Sequence, residues 1–157
     1  MPFPPIWLRM VRSERFLVAG TSMLSGLRPG DRLLVDRATY RRRGPARGEI
    51  VVFQHPARPS RKAVKRVVGL PGEEVLVQRE RLVVAGAPWP EPYIATSGAS
   101  TGTFEWLLGG DEYMLLGDNR AESDDSRLFG PVPGALLHGP AWYRYWPPNR
   151  RGPLSGE

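Results

Sequence analysis

The chain reads as mainly β, and three observations predict that class. Short apolar runs bounded by turn residues recur from end to end, which is the pattern of short strands. Glycine and proline number 18 and 17 among 157 residues and are spread along the chain, which suits many turns. No heptad, internal repeat or sustained helical period interrupts this pattern. One domain with a real core fits the length, with room for a small inserted lobe.

The strands are expected at 15–19, 32–36, 49–54, 63–68, 74–78, 81–85, 112–116 and 141–145. Pro29-Gly-Asp31 forms a turn that feeds the second strand, and residues 75–84 read as a hairpin turning at Arg79-Glu80. From Gly86 to Gly110 the chain is rich in Gly, Pro, Ser and Thr and has little periodicity, so a loop-rich insertion is expected there. The resulting division is an N-terminal extension at 1–14, a core at 15–75 and 112–157, and an inserted hairpin and loop lobe at 76–111.

Composition removes several function classes. There are no cysteines, so disulfides, thiolate metal sites and cysteine nucleophiles are excluded. The net charge of +6 suits nucleic acid or an anionic surface. Its densest run, Arg37 to Arg47 with Arg41-Arg-Arg43 inside it, has no aromatic platform or recognition-helix pattern interleaved and reads as a solvated loop. The apolar runs fall well short of the roughly 20 residues that span a bilayer. Phe3, Ile6, Trp7, Leu8 and Met10, with Arg9 and Arg12, suit either a membrane interface or packing on the protein body.

Only two of the 22 basic residues are lysines, Lys62 and Lys65, and both lie in the stretch 61–72. A buried lysine can lose its proton near neutral pH, which a guanidinium cannot. Alternation along a strand puts Lys65 on one face with Ala63 and Val67, and Lys62 on the other. Lys65 is therefore the candidate base and Lys62 a surface charge. Upstream, Ser22 lies between Gly20 and Gly26, just beyond a strand, where a tight backbone can expose a hydroxyl and an amide N–H. Thr21 adds a second hydroxyl. A serine with a neutral lysine makes a hydrolase without histidine. His55 and His138 both neighbour prolines in expected loops, which speaks against a Ser-His-Asp arrangement. The polar stretch 117–130 supplies further serines, carboxylates and arginines able to brace such a site.

These segments together resemble the type I signal peptidases, serine proteases that remove signal peptides with a Ser/Lys dyad. The match runs through Val18-x-Gly-x-Ser-Met23 with Gly30-Asp31, Arg47-Gly-Glu-Ile-Val-Val-Phe53, Val64-Lys-Arg-Val-Val-Gly-Leu-Pro-Gly72 and Gly117-Asp-Asn-Arg-x-x-Ser-x-Asp-Ser-Arg127. The resemblance implies a coiled-sheet, barrel-like catalytic core with a small inserted lobe. By position it implies Ser22 as nucleophile, Lys65 as general base and Ser123 as the hydroxyl that orients the lysine. Asp125 and Arg127 match a bracing ion pair, with Asp118 and Asn119 in the same loop. Gly20, Thr21 and Met23 match the oxyanion and substrate-cleft positions. It implies no metal or other cofactor, and as partners precursor proteins carrying a signal or leader peptide, with no nucleic acid.

Three departures from that pattern stand out. Ser22-Met-Leu-Ser-Gly-Leu27 replaces the family's usual Ser-Met-x-Pro-Thr-Leu. Gly20 stands where some members carry a serine donor. The family's N-terminal membrane anchor has no counterpart in the first residues, so a membrane surface or an anchoring partner is expected to stand in. Attachment at the outer face of the cytoplasmic membrane follows from the resemblance; a cytoplasmic place follows if the protein is a dedicated maturation protease, of the kind that trims nickel superoxide dismutase precursors. A self-cleaving repressor-type protease and a basic binding module without catalysis are the remaining readings.

Overall fold

The computed structural model describes residues 5–79, 81–94 and 102–154. A helix, α1 (Ile6–Arg12), starts the described chain and leads into β1 (Glu14–Leu17). β2 (Arg32–Val35), β3 (Ile50–His55) and β4 (Arg58–Gly69) follow. β5 (Glu74–Gln78), β6 (Arg81–Val84), β7 (Ala87–Trp89) and β8 (Thr103–Leu107) make up the middle of the chain. β9 (Glu112–Leu116), a one-turn helix α2 (Ser126–Phe129), β10 (Val132–Pro133), β11 (Leu137–Trp146) and β12 (Gly152–Pro153) complete it.

Two antiparallel sheets result. The larger has the order β1-β2-β11-β3-β4-β9-β10, with β12 beside β11, and the smaller has the order β7-β6-β5-β8. β3 explains why its sequence is continuously apolar rather than alternating. Ile50 and Val52 enter one core with Val18, Leu33 and Val64, while Val51 and Phe53 enter another with Val67 and Leu115. A third core lies between the sheets, where Val68, Met114 and Leu116 meet Val75, Val77, Leu82 and Val84. β4 crosses beneath the smaller sheet at Gly69. A Cβ there would stand 2.7 Å from Val75, 2.8 Å from Leu108 and 2.9 Å from Met114, so only glycine allows the approach.

All eight expected strands have counterparts, but the structure departs from the sequence reading in several places. The short β10 and β12 are additional, and β11 begins at Leu137, so His138 lies in a strand rather than a loop, as does His55 at the end of β3. β4 begins at Arg58, not near 63, because its polar first half is held by pairing with β3 (Gln54 with Lys62, His55 with Arg58) rather than by burial. The stretch 86–110 contributes two strands. β7 is a short, exposed edge strand containing Pro88, and β8 alternates about Phe104 and Trp106, whose rings stack at 6.1 Å. The N-terminal stretch forms α1, which starts directly after Pro5 with Leu8 N–H donating to Pro5 O, and which buries no residue. The turn position Glu80 lies outside the described residues.

Candidate active site

Ser22 rides on the loop between β1 and β2. The base of that loop is closed by Val18 N–H donating to Asp31 O at 2.9 Å and Gly30 N–H to Val18 O at 2.8 Å. Its far side is clamped from the C-terminal part of the chain. Arg144 and Arg150 donate to Gly26 O at 2.9 and 3.1 Å, and both also reach the buried Asp31 carboxylate. Asp31 in turn accepts from Arg28 N–H at 2.9 Å. Beyond the Gly30-Asp31 pair itself, nothing local in the sequence marks Asp31, Arg144 or Arg150 as holding the Ser22 loop.

The other wall comes from the end of β9 and the loop after it. Asn119 N–H donates to Ser22 O at 2.9 Å, and Asn119 Nδ2 to Thr21 O at 3.2 Å. Asp125 is fully buried and accepts from Gly117 N–H at 3.0 Å and from Arg127 Nε and Nη2 at 2.9 Å each. It also caps α2 through Arg127 N–H. Asp118 is buried against Arg66, which donates to both of its oxygens at 2.9 and 2.7 Å and to Gly48 O at 2.7 Å. Such paired, multiply bonded buried charges are costly to break from one side, on the order of 3–5 kcal/mol.

Lys65 arrives from β4, on the face that alternation assigns it. It is 5 % exposed, and Nζ is hydrogen-bonded to Ser22 Oγ. Lys62, on the opposite face, is exposed and ion-paired with Glu14. Burial pushes the Lys65 amine down from 10.5 to about 8; Asp125 and Asp124 oppose that shift, and Arg61 and Arg127 add to it. The hydroxyl and the amine open into a cleft of about 540 Å³, also lined by Gly20, Thr21, Ala63, Phe104, Ser123 and Leu128.

The remaining expected residues fall as follows. Gly20 is open to space, and Thr21 Oγ1 donates to Glu122 at 3.3 Å. Ser123 lines the cleft; its Oγ is buried beside Gly117 and has no hydrogen-bond partner among the described residues, so no bond to Lys65 is made. Met23 is a correction. It does not line the cleft but is 1 % exposed on the underside of the loop, packed with Val18, Leu27 and Leu33, because a long apolar side chain there roofs the core. Arg120, one of the arginines that the stretch 117–130 offers as braces, and Arg66, beside Lys65 in the matched motif, reach the site's supports; so do Glu91 and Tyr93, to which the sequence gives no role. Glu91, one of two acids in the Gly/Pro-rich stretch 86–110, was the available signal.

A serine hydroxyl is thus hydrogen-bonded to an amine that burial brings down to about 8, in an open cleft on a β-rich core, an arrangement that suits a hydrolase without histidine. Residues 5–146 match the family model for signal peptidase, peptidase S26; the chain belongs to that family and is a serine peptidase. It is 37 % identical over 159 residues to a signal peptidase I of Leptolyngbya laminosa, covering 94 % of this chain and 76 % of the relative. It is 38 % identical over 160 residues to a probable signal peptidase I-2 of Synechocystis sp., covering 97 % and 72 %. Among solved structures, a signal peptidase I from Enterococcus faecalis superimposes with a TM-score of 0.55 at 31 % identity, covering 62 % of this chain and 97 % of that one. No helix among the described residues is long and apolar enough to cross a membrane.

Proposed function

We propose that this peptidase removes signal or leader peptides from precursor proteins, with Ser22 as nucleophile and Lys65 as general base. The observation that carries the reading is the hydrogen bond between Lys65 Nζ and Ser22 Oγ at the floor of an open cleft. Neutral Lys65 takes the Ser22 proton as Oγ attacks the scissile carbonyl. The Ser22 N–H, which no acceptor engages among the described residues, is the donor offered to the developing oxyanion, and the Thr21 hydroxyl joins it on turning away from Glu122. Lys65 then protonates the leaving amine, and the acyl-enzyme is opened by water that Lys65 deprotonates. Ser123, with an uncommitted hydroxyl in the same cleft, takes up the amine's hydrogen bond as it turns between these partners.

The place of action in this reading is the outer face of the cytoplasmic membrane. Ile6, Trp7 and Val11 of α1 are 64, 64 and 78 % exposed, and Arg12 in its last turn is exposed beside them, while Arg9 is committed to Asp36 at 2.8 Å and to the Trp142 ring. That combination suits an interface of apolar tails and anionic headgroups. The test is cleavage of a precursor with an Ala-x-Ala site, with and without anionic vesicles. Cleavage at that site, absent in Ser22→Ala and faster with vesicles, is expected. A folded enzyme that leaves the precursor intact in both conditions contradicts the reading.

Electrostatics around the amine supply a second expectation. Asp124 is exposed and favours the charged form of Lys65. Asp124→Asn should therefore lower the Lys65 pKa, and the rising limb of kcat/KM with pH should move to lower pH. A limb that stays in place or moves up, in a pH–rate profile on the same precursor, contradicts this account.

A further inference from the structure

We propose that Glu91 and Tyr93, in the segment that follows β7, are positioning residues for the Ser22–Lys65 pair and act on it through Arg120 and Arg66. The proposal rests on the reading of that pair as the catalytic one.

The two residues close a ring of contacts whose other side is the nucleophile's support. Glu91 is ion-paired with Arg120, and the two side chains are only 4 and 2 % exposed. Arg120 Nε donates to Gly117 O at 3.0 Å, and Arg120 O accepts from Arg127 Nη2 at 2.8 Å, which ties it to the Asp125 brace. Tyr93 Oη donates to Glu91 at 3.0 Å, and its ring lies over the Arg66 guanidinium at 3.8 Å. Arg66 holds Asp118 through both oxygens. Asp118 and Arg120 flank Asn119, whose N–H bonds Ser22 O. The backbone that presses on the nucleophile is thus held on both sides by arginines that the middle segment orients.

Gluing the lobe to the core would not need this arrangement, since an apolar pair of similar volume stabilises as well or better than a buried ion pair. What an apolar pair cannot do is hold the Gly117 carbonyl and the Asn119 amide in one orientation. Arg120 itself lines the cleft, so the ring of contacts reaches the same cavity as Ser22.

The test uses the full chain with Glu91→Ala, Glu91→Gln and Tyr93→Leu, and reads two quantities besides Tm. The first is kcat and KM on the precursor. Glu91→Ala should lose about 10- to 100-fold in kcat with KM little changed, as displacements on the order of 1 Å do. Glu91→Gln, whose amide oxygen still accepts from Arg120 Nη2 and Tyr93 while its NH2 loses the bond from Arg120 Nη1, should recover part of it. The second is the titration midpoint of Lys65, followed by NMR at its ε-carbon, which needs no substrate and has one other lysine to distinguish. It should rise from about 8 toward 10.5 in Glu91→Ala, as water reaches the amine past a displaced loop. Tyr93→Leu leaves the Glu91–Arg120 pair in place and should show a smaller change of the same sign; it carries the test if Glu91→Ala does not fold. A lowered Tm with unchanged kcat and unchanged midpoint makes the ring a structural tie only and overturns the proposal. Wild type that fails to cleave the precursor overturns the functional reading instead, and the Lys65 midpoint still decides whether Glu91 positions the amine.

Discussion

Lys65→Arg should be inactive, with the initial rate on a precursor reduced about 10⁴- to 10⁶-fold, the scale on which loss of a nucleophile or its base acts in serine proteases. The substitution keeps a positive charge and a long side chain, so it isolates the one property at issue. A lysine amine brought to about 8 by burial is partly neutral at physiological pH, and a guanidinium is never neutral there. The sign of the pH dependence follows. In the proposed mechanism the working form is the unprotonated amine, so kcat/KM should rise with pH through about 8 and then level off; below that pH each unit should cost about tenfold. Ser22→Ala should be equally inactive, and the double variant no worse than either single one, because the two groups act as a unit. Tm measured alongside separates lost chemistry from lost fold. Lys65→Arg running within tenfold of wild type, or a profile flat from pH 6 to 9, would remove Lys65 from the base's role.

That lysine was legible in the sequence because strand alternation is a local rule. Lys65 falls on the face of Ala63 and Val67, and Lys62 on the other, without any tertiary information. The apolar run of β3 and the polar stretch at 117–130 were legible for the same reason, as local composition. What was not legible depends on partners remote in sequence. Glu91 meets Arg120 across 29 positions from a segment whose Gly/Pro content reads as loop, and nothing local marks its carboxylate as buried. Arg144 and Arg150 reach back 118 and 124 positions to Gly26, and look like surface charges on a basic chain. Met23 went the other way: the resemblance implies a cleft position for it, but the loop turns its side chain into the core. Helix α1 buries nothing, so it has no apolar stripe facing a core and no pattern by which to be found.

Gly117→Ala is the other substitution with a large expected effect, and it adds only a methyl group. Its Cβ would stand 2.1 Å from Ser123 Oγ, 2.6 Å from Ser123 Cβ and 2.6 Å from Ser22 O. The serine side chain can turn away, but the Ser22 carbonyl is backbone, and it already accepts from Asn119 N–H at 2.9 Å. Nor can Gly117 itself retreat, because its N–H bonds Asp125 at 3.0 Å and its carbonyl bonds Arg120 at 3.0 Å. The displacement therefore has to pass into the nucleophile loop, whose other side Arg144 and Arg150 hold at Gly26. Overpacking of this kind costs about 1–3 kcal/mol of stability. The larger expected loss is in turnover, about 100-fold, since Ser22 Oγ is moved relative to the Lys65 amine. Ser123→Gly in the same chain removes two of the three close contacts but leaves the one with Ser22 O and takes away the Ser123 hydroxyl. It should therefore return stability more fully than activity, and Ser123→Gly alone measures the hydroxyl's share. Thermal melts and kcat on one precursor, measured for the single and double variants, check both halves. A folded Gly117→Ala enzyme turning over at the wild-type rate would mean that this close approach does not set the nucleophile's position.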